Sequence, residues 1–320
     1  MSSLRVGTYR FYCRMLNEAI LPPFKGSTFR GMFGYALRQV VCALKSLNCD
    51  NCLLADRCLY ARIFENPRLE MPKGLREMSF PRPVIFEPPT DEKEFYNKDD
   101  VFCFTVRLFG NFNDSLAYFI YAVSEFGIAG IGKKNMDGQR GQFVLERVEE
   151  DGVEIYNNVD STLIATNKGQ ILTCSNINLA DSATPQSGAS KLTVTLHTPL
   201  RVKREKKFQA DLPFHVLIRS TLRRISSLFI CFGQGAEPAL EYKELVRLAE
   251  QVETTFSDLH WFDLARYSNR QDQKMLIGGM LGSITYAGNI LPFIPLLELA
   301  EILHLGKQTT FGLGHISINY

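Results

Sequence analysis

Apolar and polar positions alternate from Leu4 to Met15, with Val6, Tyr9, Phe11 and Cys13 set among polar neighbours, which predicts a strand. The segment LPPFKGSTFRGMFG (21–34) then turns the chain into a helix. Phe29, Phe33, Leu37, Val40, Val41 and Leu44 recur there at helical spacing, so one face is core while Arg30, Arg38 and Lys45 project elsewhere. Glu65 to Asp100 is rich in proline and mixed charge, with one strand expected at Pro83–Phe86. Val101–Gly110 reads as a strand, and Asn113 or Asp114 is expected to cap a helix from Ser115 to Glu125. A strand at Phe143–Val148 closes this half near Glu150.

The second half repeats the order. A strand at Leu192–His197 precedes an amphipathic helix from Phe214, whose buried stripe is Phe214, Leu217, Ile218, Leu222, Ile225, Leu228 and Phe229. Another helix follows at Tyr242–Val252, then the polar and aromatic stretch RYSNRQDQ, an apolar helix at Leu291–Leu303, and a short strand at Ile316–Ile318. Strand, helix, strands, helix, strand is the order of a ferredoxin-like βαββαβ domain. The fold class is therefore α+β, with tandem ferredoxin-like (RRM-like) domains. Residues 1–156 form the first, with a cysteine cluster; 157–190, polar and poor in charge, form a linker or long loop; 191–320 form the second.

Two loops strengthen the reading of duplication. The terminal HLGKQTTFGLGHISINY (304–320) holds Gly306, Lys307, Gly312 and Gly314, and GIGKKNMDGQRGQF (130–143) matches it. Gly132-Lys133 aligns with Gly306-Lys307, Gly138 with Gly312, and Gly130 with His304. Glycine allows positive φ and close approach, and exposed N–H groups beside a lysine suit a phosphate.

Composition narrows the class without naming a partner. The 320 residues are comfortable for two domains, the hydrophobic share of 45% and charged share of 22% are those of a globular protein, and the net charge is only +2. A nucleic-acid partner must be argued from where cations sit. No apolar run approaches the ~20 residues that span a bilayer, no signal-peptide core opens the chain, and a cytoplasmic location is expected. Disulfides are then not expected among the eight cysteines. Cys42, Cys49, Cys52 and Cys58 fall within seventeen residues, the last three as C-x2-C-x5-C. Four thiolates at such spacing suit a structural zinc ion or a 4Fe–4S cluster, with reduced unligated thiols as the alternative.

His215, Arg219 and Arg223 lie four apart on one polar helix face, with Arg224 beside them and no acidic residue in that helix. Stacked cations repel, and a polyanion relieves them.

The C-terminal LGKQTTFGLGHI, the preceding GGMLGSITYAGNILPFIPLL, RYSNRQ and LIRSTLRR, with LPPFKGSTFRGMFG, the cysteine cluster and CLYARIFE near the start, resemble CRISPR-associated RAMP proteins. More narrowly, they resemble the endoribonuclease family that processes CRISPR repeat RNA. The resemblance covers nearly the whole chain. It implies tandem RNA-recognition-like domains and metal-independent cleavage within a repeat, the ribose 2′-OH attacking the adjacent phosphate to leave a 2′,3′-cyclic phosphate. It further implies CRISPR repeat RNA as partner, effector-complex subunits as possible companions, no membrane, and no cofactor for catalysis. Family members use His, Tyr and Lys for acid–base work, often with a histidine near the first helix, but here no His precedes His197. The catalytic candidates are His304, His215 and Tyr35, with Lys25 a weaker substitute; His315 is a lesser one. Expected RNA contacts are Lys307, Gly306, Gly312 and Gly314 of the terminal loop, Arg219, Arg223 and Arg224 of the helix, Arg266 and Arg270, and Lys133. Two rivals stand beside this reading: a catalytically inactive RNA-binding RAMP subunit, and an iron–sulfur redox or sensor protein built on the cysteines.

Overall fold

The computed structural model describes residues 2–45, 48–65, 80–164, 169–173, 190–204, 207–235, 238, 240–268 and 273–320. It divides into two compact units, Arg5–Ile171 and Leu172–Tyr320 with Met1–Leu4.

In the N-terminal unit, β1 (Ser3–Met15), α1 (Gly26–Val41), β2 (Val84–Glu87), β3 (Val101–Phe109), α2 (Leu116–Ala129) and β4 (Phe143–Glu150) follow in the expected order. Their sheet runs β2-β3-β1-β4, antiparallel throughout. The alternation of β1 buries Tyr9, Phe11, Cys13 and Met15. Aromatic rings knit that face to the helices: Phe11 stacks on Phe104 at 5.2 Å, Phe29 lies 5.0 Å from Phe104, and Phe33 4.9 Å from Phe119. Leu44 departs from its expected place in the core. The helix stops at Val41, and Leu44 is 55% exposed beyond it. The cap expected of Asn113 or Asp114 is also absent: a 3₁₀ turn, Gly110–Ser115, leads into α2. Asn113 instead accepts from the Tyr9 hydroxyl at 2.9 Å and donates to Leu108 and Gly110 carbonyls, and Asp114 pairs with Arg5. The segment read as linker begins with strand structure. β5 (Val153–Asn157) and β6 (Thr162–Leu163) extend the sheet from β4, and β7 (Gln170–Thr173) follows.

The far face of this sheet is zipped by ions. Arg14 meets Glu146 at 2.6 Å, Arg147 meets Glu149 at 3.0 Å, and Arg107 pairs with Glu87. The Arg147 guanidinium also lies 3.8 Å from the centre of the Tyr12 ring, whose hydroxyl donates to Glu149.

The C-terminal unit repeats the plan: β8 (Ser190–Leu200), α3 (Phe214–Phe232), α4 (Tyr242–Ala249), β9 (Glu253–Ser257), β10 (His260–Ser268), β11 (Gln273–Gly288), α5 (Ile294–Leu303) and β12 (Ile316–Asn319). The sheet order β9-β11-β8-β12 matches that of the first unit, with the second strand split into β9 and β10 along the long β11. β8 buries Leu192, Val194 and Leu196, so Thr193, Thr195 and His197 lie on the face away from the helices. There Thr193 and Thr285 join hydroxyls at 3.0 Å. Among the described residues, no helix is long and apolar enough to cross a membrane.

Candidate functional site

The terminal loop starts where α5 ends. His304 takes φ 55° and ψ 148°, followed by positive φ at Gly306 (79°), Gln308 (63°), Gly312 (80°) and Gly314 (75°). The N-terminal loop has the same signature: Gly130 at φ 79° and ψ 161°, Gly132 at 84°, Gly138 at 77°. The tie lines repeat as well. The Lys133 amide donates to the Ile20 carbonyl at 2.9 Å, and the Lys307 amide to the Arg201 carbonyl at 3.0 Å. A Cβ at Gly132 would strike Ile20, and one at Gly306 would come within 2.6 Å of the Arg201 oxygen. The glycines therefore bring each loop hard against the segment after the first strand of its unit.

That geometry changes what the terminal loop can offer. The amides of Leu305, Lys307, Phe311, Gly312 and Gly314 donate to carbonyls of the protein itself, and the His315 amide donates to Thr198 Oγ1 at 2.9 Å. These N–H groups do not form the open cradle expected for a phosphate. Gly306, Gly312 and Gly314 shape the loop, and Lys307 is the exposed cation it presents. Lys133 is exposed on the matching loop.

His304 also departs from expectation. Its side chain is 0% exposed, its Nδ1 lies 3.2 Å from the Leu313 carbonyl, and its ring stacks on His315 at 5.0 Å and 7°. A ring so enclosed does not reach a bound strand. Lys25 is likewise fully buried, its ammonium donating to the Pro23 and Asp91 carbonyls and to the Asp91 carboxylate, so it anchors the start of α1. Tyr35 sits on α1 at 58% exposure.

On α3 the cations divide by helical angle. Arg219 and Arg223 are exposed, and among the described residues neither has an ion-pair partner; His215 is half-buried on the same face. Arg224 belongs with the core. It is 8% exposed, and its Nε donates at 3.0 Å to the Leu303 carbonyl, capping α5. Burial pushes its guanidinium pKa down, and it is a structural group where a phosphate contact was expected. Arg266 falls on β10, but its side chain and all of Arg270 lie outside the described residues.

Cys42, Cys49, Cys52 and Cys58 are free thiols, half-buried. Among the described residues no group of three or more His, Cys, Asp or Glu is arranged to hold a metal ion. These residues do not fit the zinc ion or cluster expected of them.

One group escaped the sequence reading. His197 is exposed on the outer face of β8, its Nε2 2.7 Å from Ser317 Oγ on β12 and its ring 5.0 Å from that of His315. Period-two alternation along β8 places it on the face of Thr193 and Thr195, and that signal was available.

Residues 4–169 match the AF_1859_N family model, an N-terminal domain, and residues 194–316 match the model of the CRISPR-associated endoribonuclease Cas6. An uncharacterized protein of Archaeoglobus fulgidus is 26% identical over 303 residues, 93% of this chain and 92% of its own. The fold resembles Thermus thermophilus Cas6 (TM-score 0.52, 13% identity, 99% of each chain) and a Cas6 product complex (TM-score 0.53, 16% identity, 98% of this chain and 99% of that one). It also resembles a partial Cas6-RT-Cas1–Cas2 complex (TM-score 0.60, 14% identity), where this chain is covered to 99% but spans 46% of the longer chain. The first match spans over half of the chain, which therefore belongs to the AF_1859_N family, and its C-terminal unit, which repeats the strand order and glycine loop of the first, carries the domain of the CRISPR-associated, RAMP-type endoribonucleases.

Proposed function

We propose that this chain is a metal-independent endoribonuclease that cleaves CRISPR precursor RNA within the repeat and leaves a 2′,3′-cyclic phosphate. The observation that carries the reading is the pair Arg219 and Arg223, exposed and, among the described residues, without ion-pair partners on α3 of the unit that matches the Cas6 endoribonuclease model. Such a pair suits phosphates of the backbone, Lys307 of the same unit adds charge, and Lys133, Arg266 and Arg270 belong to the proposal as further RNA contacts. These contacts position the strand without reading its sequence. Transesterification needs a base for the 2′-OH, an acid for the departing 5′-oxygen and cations for the charged transition state. Of the acid–base candidates expected from sequence, His215 on α3 is half-buried and Tyr35 on α1 is exposed, so burial excludes neither. The Cas6-RT-Cas1–Cas2 likeness supports assembly with other CRISPR proteins as a companion proposal.

The test is incubation of purified protein with end-labelled repeat RNA in EDTA. A single cleavage position and a cyclic phosphate end support the enzyme. Binding with no cleavage supports the second reading, a catalytically inactive RNA-binding subunit, which is favoured by the burial of His304 and the lack of histidine before residue 197.

A further inference from the structure

Three of the five histidines of this chain meet in one array in the C-terminal unit. His304 lies at its floor, fully buried; His315 is half-buried above it; His197 ends it in solvent. The rings are 5.0 Å apart at each step. The backbone fixes them, because the His197 amide donates to the His315 carbonyl at 2.9 Å and Thr198 Oγ1 receives the His315 amide. Ser317 holds His197 Nε2, and Nδ1 of that ring has no protein partner among the described residues. The floor is strained. The position matching His304 in the first unit is Gly130, and His304 holds φ 55° and ψ 148°, a backbone conformation that residues with a side chain rarely adopt. Strain kept at a buried imidazole is a mark of use.

We infer that His197 and His315 are an acid–base pair for RNA cleavage, seated on the outer sheet face of the C-terminal unit beside the terminal loop. The inference rests on the ribonuclease reading and deepens it. His197 takes the 2′-OH proton as the 2′-oxygen forms its bond to phosphorus. The bond from phosphorus to the 5′-oxygen breaks, and that oxygen takes a proton from the His315 imidazolium. One proton enters the pair and one leaves it, so no metal or co-reactant is required. His304, stacked behind, is a positioning residue. Imidazole is the side chain whose charge changes near neutral pH, and two held rigidly side by side give the preorganisation this reaction needs.

Cleavage of repeat RNA in EDTA is compared for wild type, His197→Ala, His197→Gln and His315→Ala, alongside affinity for RNA carrying a 2′-deoxy nucleotide at the mapped scissile position. Loss of one acid–base group is expected to slow cleavage by about 100-fold or more, with affinity changed by less than about threefold. Glutamine can keep the contact to Ser317 and lacks the titrating nitrogen, so His197→Gln must fail as His197→Ala does. A rate within about threefold of wild type in either His197 variant overturns the assignment while the ribonuclease reading stands. RNA left whole by the wild-type protein overturns both.

Discussion

The two units share a strand order and a loop, and they differ in where they put their charges. In the N-terminal unit the far sheet face closes on itself: Arg14 on Glu146, Arg107 on Glu87, Arg147 on Glu149 and Tyr12. In the C-terminal unit the same face carries hydroxyls and imidazoles, and Arg219 and Arg223 stand on α3 with no acidic partner among the described residues. The loops show the same contrast. The first is exposed from Lys133 to Gln139, whereas the second buries Thr309, Thr310, Gly312, Leu313 and Gly314 and carries a histidine where the first has Gly130. Duplication kept the scaffold, and each copy assigned its polar groups to a different task.

Five perturbations test this contrast. The largest effect is expected for Gly314→Ala: φ is 75° and the new Cβ would land on the Leu305 carbonyl oxygen. The folded C-terminal unit should lose about 3 kcal/mol, read by denaturant melts. Replacing both Arg219 and Arg223 by alanine should weaken repeat-RNA binding roughly tenfold and lower the salt slope by about 1–2. Arg14→Ala, which breaks a pair closed within the first unit, should leave that affinity unchanged in the same titration. If it does not, the division of labour between the units is wrong.

Gly138→Ala sharpens the comparison of loops. Its φ of 77° is unfavourable, but nothing lies within 4 Å of the new Cβ, so a loss of about 1 kcal/mol is expected. The smallest effect is acid-dependent. Arg147 holds the Glu149 carboxyl below its ordinary value of 4.5. The stabilisation is therefore present above 4.5 and is lost as pH falls through the lower folded value. The pair is half-buried and open to solvent on one side, so only a few tenths of a kcal/mol are at stake; urea melts of wild type and Glu149→Gln should converge as the carboxyl protonates.

Much of this was legible along the chain. Alternation marks β1 and β8, helical spacing marks α1 and α3, and equal glycine spacing marks the duplicated loops. The same spacing left Arg224 ambiguous. It stands seven residues after Leu217 and four before Leu228, on the buried stripe, while Arg219 and Arg223 sit on the opposite face. Lys25 and His304 were misjudged because residue type suggested exposure, and only packing shows a buried ammonium satisfied by Asp91 or an imidazole stacked on another. Sequence does not show that the Lys307, Gly314 and His315 amides are spent, because their acceptors, Arg201, Pro199 and Thr198, lie about a hundred residues away, while the Leu305, Phe311 and Gly312 amides bond within the loop. The histidine array was hidden for the same reason: its members come from β8, the end of α5 and the residue before β12.

The unit boundary falls inside β1 and β7, with Met1–Leu4 grouped with Leu172–Tyr320. Ser3 exchanges two backbone hydrogen bonds with Gln234, at 3.0 and 2.8 Å. A gene cut between the repeats would hand those leading residues to the wrong fragment. The C-terminal half expressed by itself would leave the Gln234 amide and carbonyl with no strand to meet. A single scission between the repeats therefore does not separate the two compact units.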